Sequence, residues 1–238
     1  MNPIKNLKTL ILDILFPPLC LNCRTHMEKE EIKTGMCWKC LNGIVLNSSF
    51  FCPICKARLP DGIKTCHKDS KYLLAAAANY NNDAVKNIIW HFKYRGWQKL
   101  QNILGNFLTG YLQTLNTNFE AFIIVPVPLH KNKQRKRGFN QAEILGKIAA
   151  EHLNIVMEAR CLKRIKNTAT QAELKNHELR KKNVANCFFV ENPDLIRDKN
   201  ILLIDDVFTS GSTINEAVNV LRANGAKKII AFVAAKAS

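Results

Sequence analysis

The sequence predicts an α/β fold with a central, mainly parallel β-sheet, preceded by a small cysteine-rich domain. Two observations lead to this prediction. From about residue 72 onward, short apolar segments alternate with amphipathic helical segments along the 238-residue chain, which is typical of βαβ units. Of the 9 cysteines, all but two lie in the first 66 residues. We therefore expect two domains, spanning residues 1–71 and 72–238.

Each element is assigned from hydrophobic periodicity and from its end signals. Buried runs rich in β-branched or small apolar residues predict strands at residues 72–80, 122–127, 155–163, 201–204 and 228–234. Apolar residues at helical spacing, closed by glycine or another stop signal, predict helices at residues 6–16, 83–96, 98–113, 141–153 and 212–224. Two polar, basic segments lack apolar anchors. We expect a basic loop at residues 130–138, and a mobile loop followed by a helix at 164–182.

The charge and composition of the chain exclude some classes of protein and favour others. The formal charge is +16 at pH 7 and the pI is about 9.6, a field that attracts nucleic acid, phosphate-rich metabolites or an anionic membrane surface. The hydrophobic fraction of 47% excludes a disordered chain. No apolar run is long enough to cross a bilayer, so we expect no stable membrane insertion. Clustered cysteines without a secretory signal favour a cytoplasmic, metal-binding protein.

The cysteines are spaced as metal ligands. Two CxxC pairs thirteen residues apart, Cys20 with Cys23 and Cys37 with Cys40, predict a tetrahedral four-thiolate site in which zinc has a structural role. Three further cysteines, Cys52, Cys55 and Cys66, form an incomplete second pattern. Asp69 stands where a fourth cysteine would complete a CxxC pair, and His67 and the more distant His26 are alternative ligands. A knuckle without metal fits this second pattern equally well.

The segment that carries the most chemical information follows a buried strand. Asp205 and Asp206 come directly after the apolar run, and a turn of small hydroxyl residues with one glycine leads into a helix. Backbone N–H groups in such a turn bind phosphate, and paired acids accept hydrogen bonds from vicinal ribose hydroxyls. The sequence therefore predicts a ribose 5-phosphate site. The turn residues are Thr209, Ser210, Gly211, Ser212 and Thr213.

These residues carry a family resemblance. Residues 201–213 resemble the 5-phosphoribosyl-1-pyrophosphate (PRPP) motif of type I phosphoribosyltransferases, with Ser210 in place of a threonine. Residues 91–96, 125–130 and 137–141, together with the cysteine pairs, resemble the ComF family. That resemblance implies a type I phosphoribosyltransferase-like fold with an N-terminal zinc-ribbon-like domain, and it covers nearly the whole chain.

The resemblance also implies roles for residues around the turn. Pro128, Leu129 and His130 correspond to a pyrophosphate loop, and Mg²⁺ would accompany PRPP. Basic residues in the two predicted loops would neutralise pyrophosphate or a nucleic-acid backbone: Lys131, Arg135, Arg137 and Arg164. Asn140 and Gln141 are equally consistent with helix caps and with site residues. Lys93 and Arg95 would either reach a ligand or cap a helix end.

Two functions are compatible with these features. The ComF resemblance implies a role in natural competence, with PRPP binding, single-stranded DNA binding and a competence helicase or other competence proteins as partners. The alternative is an active phosphoribosyltransferase of nucleotide or nucleobase metabolism that transfers ribose 5-phosphate to an unidentified nitrogen acceptor. The basic charge of residues 71–238 suits DNA binding, and the charge within residues 130–137 and 160–182 exceeds what one small ligand needs.

Overall fold

The computed structural model describes residues 15–60, 65–95, 99–168 and 182–237, and these residues build an α/β fold around one parallel sheet. The sheet order is β1-β6-β5-β2, and all three pairings are parallel. The predicted mainly parallel sheet is therefore confirmed. The strands are β1 (Leu73–Asn79), β2 (Phe122–Pro126), β3 (Leu162–Arg164), β4 (Phe188–Val190), β5 (Asn200–Phe208) and β6 (Lys228–Lys236).

Seven α-helices are described. They are α1 (Lys29–Ile32), α2 (Trp38–Asn42), α3 (Asp83–Tyr94), α4 (Leu100–Thr114), α5 (Lys131–Arg137), α6 (Gln141–Leu153) and α7 (Ser212–Ala223). The helix predicted at 6–16 lies almost entirely outside the described residues, as does most of the predicted loop and helix at 164–182.

Two expectations about local structure are wrong. The predicted basic loop at 130–138 contains helix α5. Apolar periodicity did not predict this helix, because its seven residues include no apolar residue. Caps hold this helix instead: His130 Nδ1 accepts from the Asn132 N–H at 3.3 Å, and Gly138 ends it with φ 86°. In place of the predicted strand at 155–163, the structure has the short strand β3, which pairs antiparallel with β4. Earlier in this segment, Met157 makes an isolated bridge to Ile124.

Alternating residues of the sheet enter two apolar layers, as the two-residue period of strands requires. On one face, Leu202 and Ile204 join a core that includes residues of α3, α4 and α6. On the other face, Ile201 and Leu203 join a core that includes residues of α7 and of β3 and β4. The strand β5 is thus buried on both sides, which explains its continuous apolar sequence.

The cysteine-rich region packs directly on the sheet. Phe51 and Leu74 exchange two backbone hydrogen bonds, of 2.7 and 3.1 Å, so residues 46–51 cover the edge of β1. The buried Tyr111 hydroxyl donates to the Ser49 carbonyl at 2.6 Å. Cys20 and Cys37 belong to the same apolar core as α3 and α4. The small region therefore shares a core with the larger one and protects an edge strand.

Within the described ranges, no helix combines the length and the apolar character that are needed to cross a membrane.

Candidate functional site

The acid pair lies within strand β5, which extends four residues beyond the predicted strand end. The Asp206 side chain is buried, and the Asp206 N–H donates to Asp205 Oδ1 at 2.9 Å. After Phe208 the chain turns through Gly211 and enters α7. The pair therefore lies at the carboxyl end of a central parallel strand, where open α/β folds bind ligands.

Gly211 is required by the shape of this turn. Its φ is 74°, in the left-handed region that favours glycine. A Cβ atom at this position would lie 2.6 Å from Cζ of the buried Phe208 ring. Gly211 is also the N-cap of α7 and supplies no side-chain cap. The first N–H groups of a twelve-residue helix thus begin at the turn, an arrangement that favours an anion.

Lys93 from the last turn of α3 forms an ion pair with Asp206. Its Nζ lies 2.8 Å from Asp206 Oδ1, and the two side chains are 22% and 10% exposed. Burial, reinforced by the Asp206 carboxylate, raises the pKa of Asp205 to about 7, although the Lys93 ammonium opposes the change. Burial alone would lower the pKa of Lys93, but the two acids outweigh it and the pKa is raised.

A cleft of about 740 Å³ opens over these groups. Its floor comprises Asp205, Asp206 and the complete turn 209–213, so every residue of the predicted PRPP set lines it. One wall is formed by α3, where Trp90 and Tyr94 are 46% and 50% exposed. The size suits a phosphorylated metabolite.

Two buried polar atoms belong to residues that line this cleft. Among the described residues, Gln141 Nε2 and Arg164 Nε are buried donors with no hydrogen-bond partner, and both residues line the cleft. Gln141 is only 2% exposed. A buried donor without a partner is costly, so a ligand acceptor at this position would relieve a real penalty.

The structure divides the other predicted residues between the cleft and the surface. Leu129, Arg137 and Arg164 line the cleft, and Lys133 joins them. Pro128, His130, Lys131 and Arg135 are not among its lining residues. His130 instead caps α5, and Lys131 and Arg135 are exposed on that helix.

The N-cap and the first residue of α6, Asn140 and Gln141, both line the cleft. Asn140 is a cap: its Oδ1 accepts from the Ala142 N–H at 3.2 Å, and its Nδ2 donates to the Val127 carbonyl at 3.1 Å. The Gln141 Oε1 atom accepts from Arg137 at 2.6 Å. This bond orients its Nε2 group within the cleft wall.

The first cysteine cluster has the geometry of a metal site. The Sγ atoms of Cys20, Cys23, Cys37 and Cys40 all lie within 4.8 Å of one another. The Sγ atoms of Cys23 and Cys37 are 3.6 Å apart. In a tetrahedral zinc site with Zn–S bonds of about 2.3 Å, two thiolate sulfurs lie roughly 3.8 Å apart. The Asn22 amide donates to Cys40 Sγ at 3.3 Å, a contact that steadies a ligand. The donor set fits zinc.

The second cluster corrects the predicted ligand set. Cys52, Cys55 and Cys66 are joined by His67 rather than by Asp69. The His67 Nδ1 atom lies 3.4 Å from Cys52 Sγ and 3.2 Å from Cys66 Sγ. Three thiolates and one imidazole are a common structural zinc set, so this cluster also suits the metal.

The two clusters share a local fold that spacing alone did not show. In each, the residue after the CxxC pair has a positive φ, 62° at Arg24 and 61° at Lys56. The N–H of that residue donates to the carbonyl of the first cysteine, at 3.1 Å for Arg24 and 2.8 Å for Lys56. These tight turns aim both sulfurs of each pair at one point.

Comparisons with known proteins agree with this geometry. The family model described as "Phosphoribosyl transferase domain" matches residues 141–238. Competence protein F of Haemophilus influenzae is 26% identical over 226 residues, covering 92% of this chain and 96% of that protein. Competence protein ComFC of Bacillus subtilis is 27% identical over 229 residues, covering 87% and 90%. DNA utilization protein YhgH of Salmonella typhi is 37% identical over 106 residues, covering 44% and 45%.

Three findings agree with one another. The matches cover almost the whole chain, the parallel sheet carries an acid pair and a turn, and two cysteine clusters precede the sheet. The chain is similar to the competence proteins F and ComFC along almost its whole length, residues 141–238 match the phosphoribosyl transferase domain, and its parallel α/β fold is preceded by a cysteine-rich region suited to zinc.

Proposed function

We propose that the cleft binds PRPP. The observation that carries this proposal is the position of Asp205 and Asp206 at the end of β5, directly before the Gly211 turn and the start of α7. The turn would hold the 5-phosphate with backbone N–H groups. The acids would accept hydrogen bonds from the two ribose hydroxyls, and Mg²⁺ would accompany the diphosphate, whose oxygens it prefers.

Other residues that line the cleft could bind the diphosphate of this ligand. Arg137, Gln141 and Arg164 place cationic and amide donors there, two of them with unpartnered buried atoms among the described residues. Charge-assisted hydrogen bonds to phosphate oxygens are stronger than neutral ones. The cleft thus offers acceptors for the sugar and donors for both phosphate groups.

Thermal melts with PRPP and Mg²⁺ test the proposal. A ligand at one hundred times its Kd stabilises the folded state by about 2.7 kcal/mol, or roughly 5–10 °C for a protein of this size. Asp206→Asn should abolish most of this shift. Asp194→Asn is the matched control, because that exposed acid pairs with Arg197 at the surface. No shift in the wild type, or equal shifts in both variants, would contradict the assignment.

The match to the phosphoribosyltransferase domain also favours a second candidate, transfer of ribose 5-phosphate to a nitrogen acceptor. In that reaction the bond from C1 to the diphosphate breaks, a C1–N bond forms and pyrophosphate leaves. Pyrophosphate release upon addition of individual nucleobases would support turnover. Its absence with every base, while PRPP still raises the melting temperature, would favour a binding role.

We further propose single-stranded DNA binding in natural competence. The relatives named for competence and DNA utilization support it, and so does α5, which has five basic residues among its seven and no acid. Phosphate neutralisation makes such binding weaken steeply with salt, with a slope of about 0.7 per contact.

Fluorescence anisotropy with a short labelled single strand tests this second role. The exposed pair Arg135 and Lys136 lies on α5 beside the cleft, and replacing both with alanine should lower the salt slope by about 1–1.5. Lys199→Ala with Lys227→Ala is a matched control, because these exposed lysines lie together at the opposite edge of the sheet. Binding that does not respond to salt would contradict the proposal.

A further inference from the structure

The acid pair already has a cation bound to it, and this cation belongs to the protein. Lys93 Nζ lies 2.8 Å from Asp206 Oδ1, and both side chains are largely buried. Mg²⁺ at the pair would compete with the Lys93 ammonium for the Asp206 carboxylate, and it requires near-ideal octahedral geometry. The donor set beside Lys93 therefore does not fit a protein-held Mg²⁺ ion.

We propose that Lys93 takes the place of a divalent cation at Asp205 and Asp206, so that any Mg²⁺ enters and leaves on the ligand's own diphosphate. The proposal rests on the sugar-phosphate cleft described above. It assigns to Lys93 a role in specificity: the acids bind ribose hydroxyls beside an ammonium group, without a metal ion between them.

The packing of α3 fixes this ammonium in place. The helix is anchored by buried Val85, Ile88, Ile89 and Phe92, with Phe92 fully buried against the ring of Phe139. Lys93 follows Phe92 directly, so the core sets where its side chain starts. A pre-positioned lysine loses less freedom on pairing than a flexible surface lysine would.

The charges around the pair also disfavour a second cation. Lys93 pairs with the Asp206 carboxylate, and the positive charge of Arg164, which also lines the cleft, acts on Asp205. A divalent ion at the pair would face these cations in a site of low dielectric, where repulsion is strong. Removing the lysine charge would leave two neighbouring carboxylates, a set that hard cations bind.

Binding of Mn²⁺, followed by EPR on the zinc-loaded protein, tests the proposal without any sugar ligand. We expect no Mn²⁺ site at the pair in the wild type and one new site in Lys93→Met, which Asp206→Asn in the same chain removes. Lys86→Met is the matched control, because Lys86 pairs with the exposed Asp83 on the same helix at 3.1 Å. This control should gain no site.

Two results would overturn the proposal: Mn²⁺ bound by the wild type and lost in Asp206→Asn, or no gain of Mn²⁺ in Lys93→Met. If Lys93→Met fails to fold, Lys93→Gln serves the same comparison, since it keeps a polar group of similar length without the charge.

A second measurement separates this proposal from the proposed function. Ribose 5-phosphate has no diphosphate, so its affinity reports on the acid pair and the turn alone. In buffer freed of Mg²⁺, the wild type should bind it as tightly as with Mg²⁺, whereas Lys93→Met should gain about tenfold from the ion. A wild type whose affinity depends on Mg²⁺ would overturn the role of Lys93. Failure of every variant to bind ribose 5-phosphate would contradict the sugar-phosphate cleft, and the Mn²⁺ result would still decide the role of Lys93.

Discussion

Substituting alanine for Gly211 tests whether this glycine dictates the shape of the turn formed by residues 209–213. The backbone there has φ 74°, and the new methyl group would lie 2.6 and 2.9 Å from two carbons of the Phe208 ring. That ring is 1% exposed and belongs to the core shared with α7. It cannot move aside without disturbing neighbours that are already close-packed.

The expected cost has two parts. A non-glycine residue in the left-handed region costs about 1–2 kcal/mol, and overpacking a filled core costs about 1–3 kcal/mol more. Gly138 provides a control for the first part alone, because it has φ 86° and a Cβ atom there would meet nothing within 4 Å. We expect Gly138→Ala to lose about 1–2 kcal/mol and Gly211→Ala about 2–5 kcal/mol.

Urea denaturation of zinc-saturated protein gives both values, provided that fluorescence and circular dichroism report the same transition. PRPP melts on the two variants add a functional comparison, in which Gly211→Ala should lose the ligand-induced shift. Equal destabilisation by the two substitutions would refute the reasoning, because it would mean that the Phe208 contact contributes nothing beyond the backbone strain.

Three further predictions follow from the buried groups. Because burial raises the pKa of Asp205 to about 7, well above its ordinary ~3.9, the folded protein binds an extra proton between these values and loses stability as pH rises through that window. Asp205→Asn should therefore be more stable than the wild type above about pH 7, and thermal melts should show this advantage fading toward about pH 4. Tyr111→Phe leaves the Ser49 carbonyl without its 2.6 Å donor and should cost about 1–3 kcal/mol in urea titrations. Metal analysis should find two zinc ions per chain, and His67→Ala should lose one of them whereas Asp69→Ala keeps both.

The parts of the fold and site that sequence predicted are those encoded by contiguous residues. The apolar run of β5, the acids, the glycine turn and the start of α7 follow one another in the chain, so their arrangement is local. The CxxC pairs are local for the same reason. Helix α5 escaped prediction because its evidence lies in two capping residues, His130 and Gly138, rather than in apolar periodicity.

The parts that sequence left open depend on packing between distant segments. Lys93 and Asp206 are far apart in the chain and meet only because α3 packs in the same core as β5. The choice of His67 over Asp69 depends on the path of the chain after Cys66, which spacing does not specify. The sequence left open whether Gln141 caps a helix or lines a site, because this residue lies both at a helix N-terminus and in the cleft wall.

A path of contacts links the first cysteine cluster to the cleft. The Asn22 amide donates to Cys40 Sγ at 3.3 Å, and its Oδ1 accepts from Asn87 Nδ2 at 3.0 Å. Asn87 lies on α3, the helix that carries Lys93 to Asp206. A thiolate bound to zinc is a stronger acceptor than a free thiol, so metal binding strengthens the first bond of this path. Zinc bound at this cluster would therefore stabilise more than the small N-terminal region, because it would also help to hold the helix whose lysine pairs with Asp206.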